Sequence, residues 1–150
     1  MAYLNNGTSK LFRVLRDDEN PKTDGLTAKN PQATKSLIQH VLDGSWTPGS
    51  QFISCSNNEQ SAIDFGMKKA GNAPFKIAEL DRNAIENDPN IRVSDVSDGT
   101  SFKYEKDNNF SREQCEKANN FARIFGEVCL EGHVPAEYVR SVTPYPGGMN

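Results

Sequence analysis

Apolar residues recur along the chain in two rhythms, and the switches between them mark the elements. Lys10 to Leu15 alternates, with Leu11, Arg13 and Leu15 on one face and Phe12 and Val14 on the other. Strict alternation over a short run is the pattern of a strand. The polar stretch Arg16 to Lys29, broken by Pro21 and Gly25, reads as a loop. A helix is expected next: Asn30 can cap it, Pro31 suits its first turn, and Gly44 ends it. Its apolar stripe would be Ala33, Leu37, Ile38, Val41 and Leu42. Ser45 to Ser50, with Trp46, Pro48 and Gly49, reads as a turn, and Gln51 to Ser54 as a short strand. Ser56-Asn57-Asn58-Glu59 matches a capping box, which predicts a helix from Asn57 to Ala70 with Gly71 as its stop.

Further on, Phe75 to Leu80 has strand character, and Asp81 to Asn109 is acidic and weakly patterned, with Ile91 to Val96 as a candidate strand. Ser111 and Gln114 repeat the capping signal before a helix carrying Cys115, Ala118, Ala122 and Phe125. Gly126 breaks that helix, and Glu127 to Leu130 reads as a buried strand. Pro135 to Val139 predicts one helical turn, Val139 to Tyr145 a last strand, and the tail Pro146 to Asn150 a frayed end. The sum is a mixed α and β chain of irregular order. It lacks the regular alternation of a doubly wound sheet. Neither a G-x-G-x-x-G nor a Walker-type loop occurs, which excludes those nucleotide sites.

The 150 residues fit a single domain spanning the whole chain. No apolar run approaches a membrane span, and the first ten residues contain no apolar signal core. A cytoplasmic protein, or an effector delivered to the cytoplasm of a target cell, is the expectation. The net charge of −3 and the interspersed lysines and arginines argue against a nucleic-acid surface. Cys55, Cys115 and Cys129 are odd in number and widely spaced, so neither a disulfide framework nor a zinc site is expected. Cys115 and Cys129 read as small buried hydrophobes.

Three segments concentrate chemistry. Arg13 lies inside an apolar strand, Ser54 and Ser56 end another, and Glu127 begins a third. Burying charge costs several kcal/mol unless it is paired, so Arg13 and Glu127 are either partners or parts of a cleft. Singly, each has an ordinary reading. Arg13 can reach water at a strand edge, and Ser56 can cap a helix. Glu127 can face solvent, and His40 can sit at a helix C-terminus. Glu131 is the nearest rival carboxylate, and His133 reads as a loop residue. Trp46 and Phe52 are either core or the wall of a pocket.

Taken in order, LFRVLRDDENPKTDGLTAKN, HVLDGS, QFISCS and GEVCLEGHVPAEYVRSVTPY resemble segments of the arginine-serine-glutamate class of mono-ADP-ribosyltransferases, in particular its pertussis-toxin-like members. The resemblance spans most of the chain. It implies an α+β ADP-ribosyltransferase-like fold, with two small, perpendicular, mainly antiparallel sheets flanked by helices around an NAD cleft. It also implies a toxin or effector that cleaves NAD+ at the nicotinamide–ribose bond and transfers ADP-ribose to a macromolecular target, a protein by default. NAD+ would be the co-substrate, with no metal, and the protein would act as a monomer. Glu127 would stabilise the ribosyl cation, Arg13 clamp the diphosphate, Ser54 orient Glu127, and His40 orient the ribose or accept a proton. Phe12 and Ser56 would complete the NAD+ contacts. Three positions depart from the family pattern. Cys55 replaces the central threonine of Ser-Thr-Ser, Phe125 replaces a Gln or Glu two residues before Glu127, and Leu15 replaces an acidic residue. The Phe125 departure bears on the acceptor, and keeps open a NAD+ glycohydrolase or a NAD-binding module without turnover.

Overall fold

In the computed structural model, the described residues are 9–43, 49–107 and 109–147. Gly44 and Trp46 of the expected helix stop and turn lie outside them. The elements run β1 (Lys10–Val14), α1 (Pro21–Asp24), α2 (Leu37–Asp43), β2 (Phe52–Ser56), α3 (Glu59–Ala70), β3 (Phe75–Asp81), α4 (Arg82–Glu86), β4 (Arg92–Asp95), α5 (Arg112–Phe125), β5 (Glu127–Glu131), a 3-10 turn (Ala136–Tyr138) and β6 (Val139–Tyr145). Among the described residues no helix is long and apolar enough to cross a membrane.

The six strands form one sheet in the order β4-β5-β2-β1-β3-β6, and every neighbouring pair is antiparallel. The two small perpendicular sheets expected are not shown as distinct sheets. The reason lies at the centre, where β1 and β2 are joined through a single paired position, Phe12 opposite Ser56. Two three-stranded halves therefore meet at a narrow seam. On one face, Leu11, Ile53, Leu80, Val128 and Leu130 build the main core. On the other, Phe12, Ala62, Phe75 and Ile77 pack beneath α3. The expected alternation in β1 is observed, because Leu15 joins the first cluster and Val14 the second. A third cluster, with Val41, Val96, Ala118 and Ala122 fully or nearly fully buried, sets α2 against α5.

Local chemistry explains where the expected boundaries shift. The helix predicted from Asn30 starts only at Leu37. The Gln51 side-chain amide takes both the N–H (3.1 Å) and the carbonyl (2.8 Å) of Lys35, which holds that segment out of helical geometry. Ser36 then caps the shortened helix through Gln39 N–H. The loop after β1 contains the four-residue α1, with Pro21 in its first turn. Ser56 does not cap α3. Asn58 does, accepting from Ser61 N–H at 2.8 Å, and Ser56 instead completes β2. By contrast, the capping box at Ser111 and Gln114 forms with both of its hydrogen bonds. Cys55, Cys115 and Cys129 are all unbridged and buried.

Candidate functional site

The strand register sorts the chemistry from the core. Ser54 stands opposite Cys129 and Ser56 opposite Glu127. Alternate residues share a face, so Ser54, Ser56, Glu127 and Cys129 lie on one side. Ile53, Cys55, Val128 and Leu130 lie on the other, in the main core. Gly126 delivers Glu127 to its place. It ends α5 in the left-handed conformation (φ 58°, ψ 43°), which glycine adopts without penalty, and so turns the chain directly from helix to strand. A Cβ at Gly126 would lie 2.4 Å from Oδ1 of Asn57, so a side chain there would have to displace the Asn57 amide.

Arg13, His40, Ser54 and Glu127 border one cleft, and Phe12 and Ser56 border it too. The cleft holds about 780 Å³ of empty space, counting the part open to solvent. The Arg13 guanidinium is buried. Its Nη1 donates to the Ser54 carbonyl oxygen at 2.8 Å, and its Nε and Nη2 donate to Oε2 of Glu19 at 3.2 and 3.0 Å. Glu19 also accepts from the Arg16 backbone N–H at 2.7 Å. This partner was hidden in the sequence, because Glu19 sits in a run of exposed-looking acids with no periodicity.

His40 is 4% exposed and held at both ring nitrogens. Ser50 Oγ lies 2.5 Å from Nδ1, and Ser54 Oγ lies 2.7 Å from Nε2. Burial, with the nearby Lys35 and Arg13 charges, pushes the His40 pKa down to about 4, so the ring is neutral at pH 7. A neutral ring carries one N–H. Ser54, on the same side of the sheet as Glu127, helps pull the Glu127 pKa back down. Ser54 Oγ accepts from His40 Nε2–H, and His40 Nδ1 accepts from Ser50. Ser50 Oγ in turn accepts the Phe52 N–H at 3.2 Å, which leaves its own proton for the ring. A chain of hydrogen bonds results, from Ser50 through His40 to Ser54, on the side of the sheet that carries Glu127. In the sequence Ser50 is only part of a turn, since a serine beside Gly49 carries no signal of a tautomer-setting role.

Glu127 is 8% exposed. Burial raises its pKa, while the Cys129 hydrogen bond, Ser54 and the Arg13 charge pull it back. Cys129 Sγ donates to Oε2 at 3.1 Å, and His40 Nε2 lies 4.0 Å from the same oxygen. Three further cations, Arg16, Lys29 and Lys69, line the cleft. Partial desolvation and the Arg13, Arg16 and Lys29 charges hold the Lys69 pKa down. These cations come from three separate segments, so no basic run announced them. The aromatic wall consists of Phe52, whose ring centroid lies 5.2 Å from that of His40, and Phe125, packed on Phe65 at 5.2 Å and Phe121 at 4.9 Å. Glu131 lies at the far end of β5 and His133 bonds Thr27 at 2.9 Å; neither borders the cleft. Together the groups offer a cationic rim, a buried carboxylate with ordered donors, and flat apolar surface. That set can receive an extended anion and stabilise positive charge at one carbon.

No protein-family model and no curated protein matches the chain. Solved structures do. EcPltA superposes with a TM-score of 0.64 at 15% identity, over 93% of this chain and 77% of that one. The full-length CARDS toxin superposes with a TM-score of 0.58 at 19% identity, over 93% of this chain and 25% of that one. The chain thus spans about a quarter of the CARDS toxin's length. At these identities the likeness is one of fold: the chain shares the architecture of EcPltA and of one part of the CARDS toxin.

Proposed function

We propose that the protein is a mono-ADP-ribosyltransferase that uses NAD+ and modifies a protein target as a toxin or effector. One observation carries this reading. Arg13, His40, Ser54 and Glu127 border one cleft, although Arg13 and Glu127 stand 114 positions apart (127 − 13). The fold shared with a toxin chain supports it.

In this mechanism the NAD+ diphosphate lies against the cationic rim, where the Arg13 N–H groups not held by Glu19 and Ser54 and the Arg16, Lys29 and Lys69 charges suit phosphate oxygens. Phe12, Phe52 and Ser56 contact the nicotinamide end. The bond between ribose C1′ and the nicotinamide nitrogen breaks, and nicotinamide leaves with the bonding pair as a neutral molecule. Positive charge grows on C1′, and ionised Glu127 stabilises it and accepts a hydrogen bond from the ribose. The acceptor nucleophile then bonds to C1′ and releases a proton. His40, neutral and donating to Ser54, orders the carboxylate rather than acting as an acid.

Phe125 motivates a second reading with water as the acceptor. Its apolar ring stands two residues before Glu127, where an acceptor-activating side chain would otherwise sit, and it is buried against Phe65 and Phe121. Labelled NAD+ incubated with lysate separates the two. Labelled protein supports transfer, and free ADP-ribose alone supports hydrolysis. Binding of NAD+ with no nicotinamide release would leave a binding module, and full activity in Glu127→Ala would overturn the catalytic assignment.

A further inference from the structure

Cys129 is fully buried, yet it belongs to none of the three apolar clusters. Its strand neighbours Val128 and Leu130 fill the main core, while Cys129 points the other way, toward the side of Glu127 and Ser54. There its thiol meets Oε2 of Glu127 at 3.1 Å. Burial and the Glu127 charge raise the thiol pKa well above its ordinary value, so the sulfur keeps its proton and acts as a donor. The carboxylate is therefore approached by a hydroxyl from β2 and by a thiol from its own strand.

We infer that Cys129 is a positioning residue for Glu127, its S–H holding the carboxylate in one rotamer and in its ionised form. This rests on the proposed role of Glu127 in NAD+ cleavage. A carboxylate buried this deeply keeps its charge only if donors replace the lost water. The other groups around it act together with the thiol. Arg13 of β1 and Ser54 of β2 favour the charge, and neutral His40 of α2 lies 4.0 Å away. Cys55 of β2 keeps its own proton, its pKa pushed up to about 12 by burial. Asp95 of β4 raises the Cys129 pKa further, and Lys69 of α3 lines the same cleft. An apolar residue at 129 would fill the space but remove the side-chain donor that lies 3.1 Å from a charged acceptor.

The test compares Cys129→Ala, Cys129→Ser and wild type in two assays. The first is the pH profile of nicotinamide release from NAD+. The second is the carbon-13 NMR titration of Glu127, assigned with Glu127→Gln. In Cys129→Ala, kcat is expected to fall by at least about tenfold with KM for NAD+ changed less than about twofold, as one buried hydrogen bond to a charge predicts. The acid limb of the profile and the Glu127 titration should both move to higher pH. Cys129→Ser, which restores a donor, should return both toward wild type. Cys129→Val, close in volume, replaces the alanine variant if a cavity prevents folding. An unchanged Glu127 titration in Cys129→Ala or Cys129→Val, or a folded Cys129→Ser that behaves like alanine, would overturn the inference. If wild type releases no nicotinamide, the functional proposal fails, and the NMR titration still decides the role of Cys129.

Discussion

Nη1 of Arg13 donates to the main-chain carbonyl oxygen of Ser54 at 2.8 Å. This bond crosses the sheet where its pairing is weakest, since β1 and β2 share one paired position. The same guanidinium holds Glu19, whose side chain is 5% exposed. Arg13 thus ties the two halves of the sheet while presenting charge to the cleft.

That double duty sets the outcome of Arg13→Lys. An ammonium has no planar fork and cannot serve Ser54 and both Glu19 contacts at once. Unfolding in urea should show a loss of about 3 kcal/mol, the usual scale for breaking a buried pair. The KM for NAD+ should rise at least about tenfold if the guanidinium also meets the diphosphate.

Glu127→Gln separates catalysis from folding. Burial raises the Glu127 pKa in the folded state, so its ionised form at pH 7 opposes stability, and that opposition fades as pH falls. The neutral isostere should therefore unfold at neutral pH no more easily than wild type. NAD+ cleavage should drop by at least about a hundredfold, the scale of losing one charge-stabilising group. A melting curve and a nicotinamide assay on the same preparation check both.

His40 gives a pH dependence of defined sign. Its folded pKa of about 4 lies below the ordinary 6.5, so the unfolded chain takes up a proton that the folded one refuses. Its contribution is present above pH 6.5 and is lost as pH falls from 6.5 toward 4. The loss amounts to about 3 kcal/mol by pH 4. Glu127 acts in the opposite sense, so the comparison is with His40→Gln, against which wild type should lose ground as pH drops. Ser50→Ala removes the partner of Nδ1 and should lower kcat by about tenfold, as expected for one lost buried hydrogen bond.

Phe125 links stability to the choice of acceptor. Phe125→Gln removes a ring packed on Phe65 and Phe121, and should cost about 3 kcal/mol in urea unfolding. The same change places a polar amide two residues before Glu127. The ratio of labelled protein to free ADP-ribose is expected to rise, read on a gel alongside a nucleotide assay.

Elements whose signals are local were legible. The alternation of β1, the capping box before α5 and the helix stop at Gly126 all formed where their residues stand, because each depends on neighbours within about four positions. The Arg13, Ser54 and Glu127 segments could be singled out because charge and hydroxyls inside apolar strands are costly wherever the chain goes. Signals that a distant group could outbid were misread. The helix from Asn30 gave way to the amide of Gln51, sixteen residues beyond Lys35, and Ser56 left its capping role to join β2.

What the sequence alone determined is thus the strands, the longer helices and the few residues that cannot be buried idly, while the short α1 and α4 carried no local signal. What only the tertiary structure decided is their mutual geometry: the six strands joined in one sheet, the Glu19 partner of Arg13, the Ser50 contact that sets the His40 tautomer, and the Cys129 thiol under Glu127. Periodicity records which face a residue takes relative to its own neighbours. Hydrogen bonds across 41 positions, as between Arg13 and Ser54, exist only once the strand register has been chosen.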